Sequence, residues 1–495
     1  MTHQKPAKGP VIIVSKGDFV GIAREFLRGL PSKRLTHQGV AYEHDGRCYA
    51  EVGKSDLEAA IWTFLSKARE AESGDRFRPS RHIVANVQAA ADALTNQPAS
   101  LNPPCWLNGR DELPANEFLS CLNGRLHLPS RMMFPHDPDF FNLHSLVYDF
   151  DPAAPPPTTW EKFLASTWPD DLESQECLAE IFGYIIVGAT DLQKAFLLIG
   201  AKRSGKGTIC RILQTLVGRE STCGPTLSSL AGDFGLQHLI GKILAIISDA
   251  RLGSRVDKSA VAERMLAITG EDLISAPRKF RDDWTGKIQV RFVMLSNEVP
   301  RLTDVSGALP SRCLTLHMPK SFYGKEDPAL TSKLLQELPG ILNWSLDGYA
   351  RLRKRGYFLQ PEAGKAVLEE LEELASPIMQ FIREKCRVEP GASIPTTSLY
   401  EAWREWCGGQ GRDHTGTLQT FGRDIKAALP EVRTKQVMQD RDRFRVYEGI
   451  ALGGLHAVTR EEVHCSVHKN EDLYRDSGEH NAITRVKSSE TEVLI

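Results

Sequence analysis

Between Gly200 and Thr208 the chain reads GAKRSGKGT, with glycines and a lysine spaced to hold phosphate. Successive backbone N–H groups must point inward to cradle such an anion, and glycine lets the backbone come that close. Gly200, Gly205, Lys206 and Gly207 give the pattern G-x-x-x-x-G-K-[GST], with Ala201, Lys202, Arg203 and Ser204 between the first two glycines. Lys206 would supply a point charge for the β- and γ-phosphates, and the helix start behind the loop adds its partial positive charge. The strict pattern puts Ser or Thr directly after the lysine. Here Gly207 intervenes and Thr208 comes one place later. The flanking text favours a nucleotide-phosphate site over a purely structural glycine turn. Ala195 to Ile199 is an apolar run of strand length, and Ile209, Ile212, Leu213, Leu216 and Val217 recur at helical spacing.

Further chemistry-bearing positions follow. KILAIISDAR is a second apolar strand leading into Asp249, a carboxylate placed to hold magnesium or to orient an attacking water. The plainer alternative is a turn aspartate closing a strand. RKFRDDWTGK has the composition of a basic hairpin, with Arg278, Lys279 and Arg281 near Phe280 and Trp284, which suits a nucleic-acid backbone as well as a solvated loop. QVRFVMLSN is a third apolar strand, and Asn297 at its tip is either a γ-phosphate contact or a turn-former before Glu298-Val299-Pro300. Arg312 precedes one more strand, free of local carboxylates, and is a candidate finger acting across a subunit interface.

These positions need a large α/β scaffold, and the chain has the material for it. Its 495 residues are 41% hydrophobic and 25% charged, the range of an ordinary globular protein of two to four domains. No apolar run is long enough to span a bilayer, and the first residues lack a secretory signal. Ten cysteines without any C-x-x-C indicate neither a disulfide framework nor a zinc finger, so a cytoplasmic setting is expected. His464, Cys465 and His468 lie close together but have no partner cluster. The net charge of −2 confines any nucleic-acid binding to local basic patches.

Along the chain, residues 1–15 read as a loose leader and 16–155 as a mixed α+β domain. Helices are expected at FVGIAREFLRGL, LEAAIWTFLSKA and IVANVQAAADAL, with hairpin turns at Asp45-Gly46 and Asn123-Gly124. The proline run Pro155–Pro157 suggests a domain boundary before a helical lead-in, 156–190. The glycine loop and its following strands occupy 191–350. Helices continue through 351–375, where Arg351, Arg353, Lys354 and Arg355 read as a solvated helix end. Residues 376–452 read as three helices closed by two short strands at RTKQV and RFRVYEGI, the pattern of a winged helix-turn-helix. Residues 453–495 turn polar and are expected to form a flexible tail.

The order of these motifs between residues 200 and 312 resembles that of superfamily III helicases. The likeness is greatest to the phage and plasmid primase-helicase branch, related to the poxvirus primase-helicase. ITGEDLISAPRKF and LSNEVPRLTDVSGALPSR resemble that branch's segments around the strand-tip asparagine and the arginine behind it. CLNGRLHLPSRMMFPHDPDFF, YDFDPAAPPPTTWEKFL and IFGYIIVG resemble the domain ahead of the helicase core. The GKG-T form of the loop is one this branch uses.

The resemblance implies an AAA+-like P-loop core and a role for each position. Gly200, Gly205, Lys206, Gly207 and Thr208 would bind ATP, with Thr208 and Asp249 on magnesium. Asn297 would sense the γ-phosphate, Arg312 would reach the next subunit's site, and Arg278 and Lys279 would grip DNA in a central channel. The implied partners are single-stranded or forked DNA, further copies of the chain in a ring, commonly hexameric, and other replication proteins. Two features depart from the family. No second acid adjoins Asp249, so Glu271 or Asp272 would have to compensate. Residues 1–155 show neither a metal-binding carboxylate set nor a zinc ribbon, so primer synthesis is not expected. The leading expectation is an ATP-driven DNA helicase for replication of a phage or integrated element. The alternative is a replication initiator or regulator whose ATPase is an assembly switch. A small-molecule P-loop kinase accounts less well for the flanking domains.

Overall fold

The computed structural model describes residues 12–109, 113–251, 256–279, 281–300, 308–410, 415–439 and 442–453. Phe280, the His464–His468 cluster and all of the expected tail except Gly453 lie outside the described residues. The chain divides into two compact units, with the break between Glu372 and Glu373.

The first unit opens with β1 (Ile13–Val14), α1 (Phe19–Arg28), β2 (Arg34–His37), β3 (Val40–His44), β4 (Tyr49–Glu51), α2 (Lys54–Lys67), β5 (Arg69–Glu70) and α3 (Arg81–Leu94). The expected leader is shorter than residues 1–15, because β1 pairs in parallel with β5 and Val14 is buried in one cluster with Ile22, Phe26, Ile61 and Leu65. Next come β6 (Cys105–Trp106), β7 (Phe118–Cys121), β8 (Gly124–His127), β9 (Met132–Phe134) and β10 (Phe140–Phe141). Gly124 already pairs with Cys121, so the hairpin loop is Leu122-Asn123 and falls one residue earlier than its sequence suggests.

Two helices, α4 (Thr158–Thr167) and α5 (Leu172–Ile186), lead into an alternating α/β run. It consists of β11 (Ala195–Gly200), α6 (Lys206–Val217), β12 (Thr222–Cys223), α7 (Leu227–Leu230), β13 (Leu244–Ile247), α8 (Lys258–Thr269), the hairpin β14 (Ile274–Arg278) and β15 (Arg281–Gly286), then β16 (Arg291–Ser296), α9 (Ala308–Arg312) and β17 (Cys313–Met318). Helices α10 (Leu330–Gln336), α11 (Leu338–Arg355) and α12 (Glu362–Ala375) follow. The main sheet has the order β12-β13-β16-β11-β17, and every neighbouring pair is parallel. Strands β11 and β16 are buried along their whole length, which is why they read as unbroken apolar runs rather than alternating ones. The core of this sheet is continuous with the residues before it. Leu119, Leu126, Leu146 and Phe150 share one apolar cluster with Trp160, Phe196 and Leu213.

Helix α5 is buried almost all round because α11 lies against it with the two backbones nearly touching. A Cβ added at Gly348 would lie 2.4 Å from the Ala179 carbonyl carbon, and one at Gly183 2.3 Å from the Ser345 oxygen. We expect Gly348→Ala to destabilise the first unit by about 1–3 kcal/mol, since the clash is with backbone that cannot swing away. A drop in the urea midpoint at constant slope checks it, and an unchanged midpoint would mean that the helices do not cross so closely. Glu337 fixes the entry of α4 by accepting hydrogen bonds from the Thr159 and Trp160 amides at 2.9–3.0 Å. The basic cluster at the end of α11 is only partly a solvated helix end. Arg353 pairs with Asp191, and Arg355 donates to the carboxylate of Glu180, which is buried.

The second unit holds α13 (Pro377–Lys385), β18 (Cys386–Pro395), α14 (Thr396–Gly409), α15 (Leu418–Ala428), β19 (Arg433–Gln439) and β20 (Asp442–Leu452). The three helices are where the sequence puts them. Its sheet has three strands rather than two, antiparallel in the order β18-β20-β19. Trp403 stacks on Trp406 at 5.4 Å and on Phe421 at 5.8 Å, and Phe381, Ile425 and Ile450 complete this core.

Candidate functional site

The glycine loop joins β11 to α6 as its spacing predicts. Gly205 begins the helix at φ 99°, and Arg203 is also left-handed at φ 62°. A turn of this type directs backbone N–H groups into a shared concavity, and the α6 dipole adds positive potential. Gly205 must lack a side chain, because a Cβ there would lie 2.9 Å from the Phe163 ring. Lys206 is buried, and its ammonium donates to the carbonyls of Gly200 at 2.6 Å and Ala201 at 2.9 Å and to Ser204 Oγ at 3.0 Å. All three acceptors are neutral, and burial pushes its pKa down. A cation half-stripped of water without a matching anion favours whatever negative group enters the loop.

Ala201, Lys202 and Arg203 form the exposed rim of the loop, which is tied to the segment after β17. Ser321 Oγ donates to the Lys202 carbonyl at 2.8 Å, the Phe322 amide to that of Arg203 at 2.9 Å, and Arg203 pairs with Glu326. Sequence spacing carries no signal for that tether.

Asp249 and Asn297 sit at the same edge of the sheet as the loop. The Ala250 amide donates to the Leu295 carbonyl at 3.0 Å, which fixes Asp249 beside the end of β16, and Asn297 directly follows that strand. Because β16 lies between β13 and β11, the edge runs Asp249, Asn297, glycine loop. Arg251 grips the Asp249 carboxylate through Nε at 2.9 and 3.0 Å and through Nη2 at 2.6 Å. These hydrogen bonds hold Asp249 below the usual carboxylate range. The field of Glu298 also acts on Arg251, which brings to this edge an acid that the sequence reading passed over. The only available signal was its position beside Asn297. Glu271 lies elsewhere. Its carboxylate accepts from the Thr190 hydroxyl and stands 4.0 Å from the buried Arg291 at the opposite, starting end of β16. Asp272 follows it in sequence, so neither acid is placed beside Asp249.

The oxygen atoms of Asp249 and Thr208 are of the kind a hard divalent cation takes. Both are loosely held. The Asp249–Arg251 pair is solvent-exposed, and Thr208 Oγ1 accepts one hydrogen bond from Arg211 at 3.2 Å. Exposed contacts of this kind are screened by solvent, so they yield to a stronger ligand.

Arg312 ends α9 just ahead of β17, whose first residue, Cys313, is level with Ala195 at the start of β11. Gly200 lies five residues along β11 from that level, about 17 Å at the strand rise, so Arg312 lies at the far edge from its own glycine loop. Its Nη1 donates to the Leu266 carbonyl at 2.5 Å and to Thr269 Oγ1 at 3.1 Å, closing the last turn of α8.

The basic stretch is a hairpin, with Arg278 opposite Arg281 and an irregularity between Ala276 and Arg278. The Lys279 amide donates to Gln237 Oε1 at 3.2 Å. Arg278 is half-buried and lines a cavity of about 660 Å³ with Val40, Glu51, Lys54, Gln88 and Asp92. The described side chains do not include Arg281.

Residues 198–312 match a family of unknown function (DUF5906), and residues 375–448 match the poxvirus D5 protein-like family. The apo structure of the NrS-1 C terminal region (305-718) aligns with 88% of this chain and 100% of its own, at 13% identity and a TM-score of 0.51. The A form apo structure of the same region covers 88% and 100% at 12% identity and a TM-score of 0.47. At such identities the likeness is one of fold. The class is therefore a mixed α/β protein built on a parallel sheet, with a poxvirus D5-like C-terminal module. The poxvirus D5-like match, confined to residues 375–448, supports a phage primase-helicase-type family. That match supports a replication role of helicase or primase type. No described helix is long and apolar enough to cross a membrane.

Proposed function

We propose that this protein is an ATP-dependent, ring-forming superfamily III DNA helicase that acts in replication of a phage or integrated element. The observation that carries the reading is the strand order. It gathers the Lys206 loop, Asn297 and Asp249 on one edge of the sheet and leaves Arg312 on the other. On this reading a subunit holds its nucleotide at the loop while its own Arg312 is out of reach of that site. A neighbouring copy turned about a ring axis would bring its Arg312 to the γ-phosphate. ATP would sit with its phosphates over Gly200–Thr208, and magnesium would be held by Thr208 and Asp249 and neutralise charge on the β- and γ-oxygens. Asn297 would contact the γ-phosphate, and Glu298, beside it in the chain, would orient water.

On this reading Arg278, Lys279 and Arg281 act on DNA from the β14–β15 hairpin, which follows α8 directly in the chain. The second unit is a winged helix. Its strands β19 and β20 expose Arg433, Lys435, Arg443 and Arg445, cations suited to a duplex backbone. The 16–155 region is then an accessory domain and 156–190 a helical lead-in to the motor.

A forked-DNA unwinding assay tests the proposal. Strand displacement that requires ATP and magnesium, together with DNA-stimulated phosphate release, is expected. Tight, sequence-specific duplex binding without displacement would instead mark an initiator that uses ATP for assembly.

A further inference from the structure

The residue after the loop lysine is the position at which a Ser or Thr hydroxyl meets magnesium, and in this chain it is empty. A Cβ built on Gly207 would find one neighbouring atom within 4 Å, Arg211 Nη1 at 3.8 Å. Arg211 stands one helical turn further along α6, the spacing that puts two side chains on one face. The same guanidinium donates through Nη2 to Thr208 Oγ1 at 3.2 Å. It therefore lies back over the first turn of α6, across the space that a Gly207 side chain would fill. Arg211 is exposed, and its one hydrogen bond goes to a neutral hydroxyl; among the described residues no carboxylate pairs with it. Long helical side chains lean toward the N-terminus, and the Thr208 hydrogen bond holds this one there although the dipole's positive end opposes it. An anion drawn to that terminus would meet the guanidinium already in place.

We propose that Arg211 is a triphosphate-binding residue that replaces, by direct charge, part of what the missing hydroxyl does through a metal. The planar guanidinium offers paired N–H donors to phosphate oxygens, and the bare Gly207 keeps its path open. Thr208 then has two tasks, toward the guanidinium and toward the cation. This inference rests on the glycine loop being a nucleotide site.

The test is equilibrium binding of a fluorescent ATP analogue to the full chain, with and without magnesium, for wild type, Lys206→Ala, Arg211→Ala and Arg211→Lys. Arg211→Ala should weaken binding about tenfold or more, the worth of a hydrogen bond to a charged group, and most of that loss should persist without magnesium because the contact is direct. Arg211→Lys should recover part of it, as a point charge in place of a fork. Matching thermal melts for the exposed Arg211 variants show that folding is unaffected. Wild-type affinity in Arg211→Ala, alongside lost affinity in Lys206→Ala, would overturn the inference and leave the site standing. Unchanged affinity in Lys206→Ala would remove the nucleotide site itself. A loss in Arg211→Ala seen only with magnesium would also overturn the inference, since it would assign Arg211 to positioning Thr208 rather than to phosphate.

Discussion

Lys206→Ala is expected to lose nucleotide binding and to lower ATP hydrolysis and strand displacement by about a hundredfold or more, as when a preorganised charge is removed from a site where negative charge gathers. The ammonium is already desolvated and already positioned. It needs only to exchange its bonds to the Gly200 and Ala201 carbonyls and Ser204 Oγ for phosphate oxygens. Alanine leaves those carbonyls without a donor, at a cost to stability of roughly 1–3 kcal/mol, well short of unfolding a domain of this size. Phosphate release with and without DNA, read beside a thermal melt, separates the two effects. A folded Lys206→Ala protein with normal DNA-stimulated hydrolysis would sink the assignment of the loop.

The strand-loop-helix around Lys206 was legible because each part is local. A buried parallel strand is a solid apolar run, glycine marks the left-handed turn, and the helix shows its period. Asp249 and Asn297 were legible for the same reason, as polar residues at strand tips. Contacts between distant segments were not. The tether from Ser321 and Phe322 to the loop joins residues more than a hundred positions apart, mostly through backbone atoms that no residue type advertises. The α5–α11 crossing depends on two glycines, Gly183 and Gly348, that look in sequence like mild helix breakers. Strand β18 was missed because CRVEPGASIP mixes proline and glycine with few apolar residues, and its pairing to β20 is interrupted between Val388 and Ser393. Glu271 attracted attention as an acid in the right stretch of sequence, but its left-handed backbone and its bonds to Thr190 and Arg291 place it at the wrong end of the sheet. An acid's use is set by which strand end it occupies, and sequence spacing alone does not fix that.

Arg312→Ala is expected to keep nucleotide binding and lose hydrolysis by about 10³-fold, the scale of an arginine finger. Geometry separates the two effects. Lys206 and Arg312 stand at opposite ends of adjacent strands, so removing the arginine leaves the subunit's own loop untouched. In the single subunit the guanidinium is engaged by the Leu266 carbonyl and Thr269, and losing that cap costs roughly 1 kcal/mol at the end of α8. Hydrolysis in trans makes a sharper demand. Neither Arg312→Ala nor Lys206→Ala is active alone, yet a ring containing both holds some interfaces with an intact lysine on one side and an intact arginine on the other. With random one-to-one mixing that is about a quarter of the interfaces, as closed rotational symmetry requires. Phosphate release from the mixture should therefore exceed that of either variant, and either variant added to wild type should depress its rate. If co-assembled rings show neither effect, Arg312 does not act on a neighbour. If they show both, the cap on α8 gains a second meaning. The guanidinium that reaches across an interface must first leave Leu266, so nucleotide in one subunit would loosen the last turn of α8 in the next. From there the chain runs through Gly270 and Glu271 directly into the β14–β15 hairpin, a short covalent route from a neighbour's phosphate to the residues proposed to act on DNA.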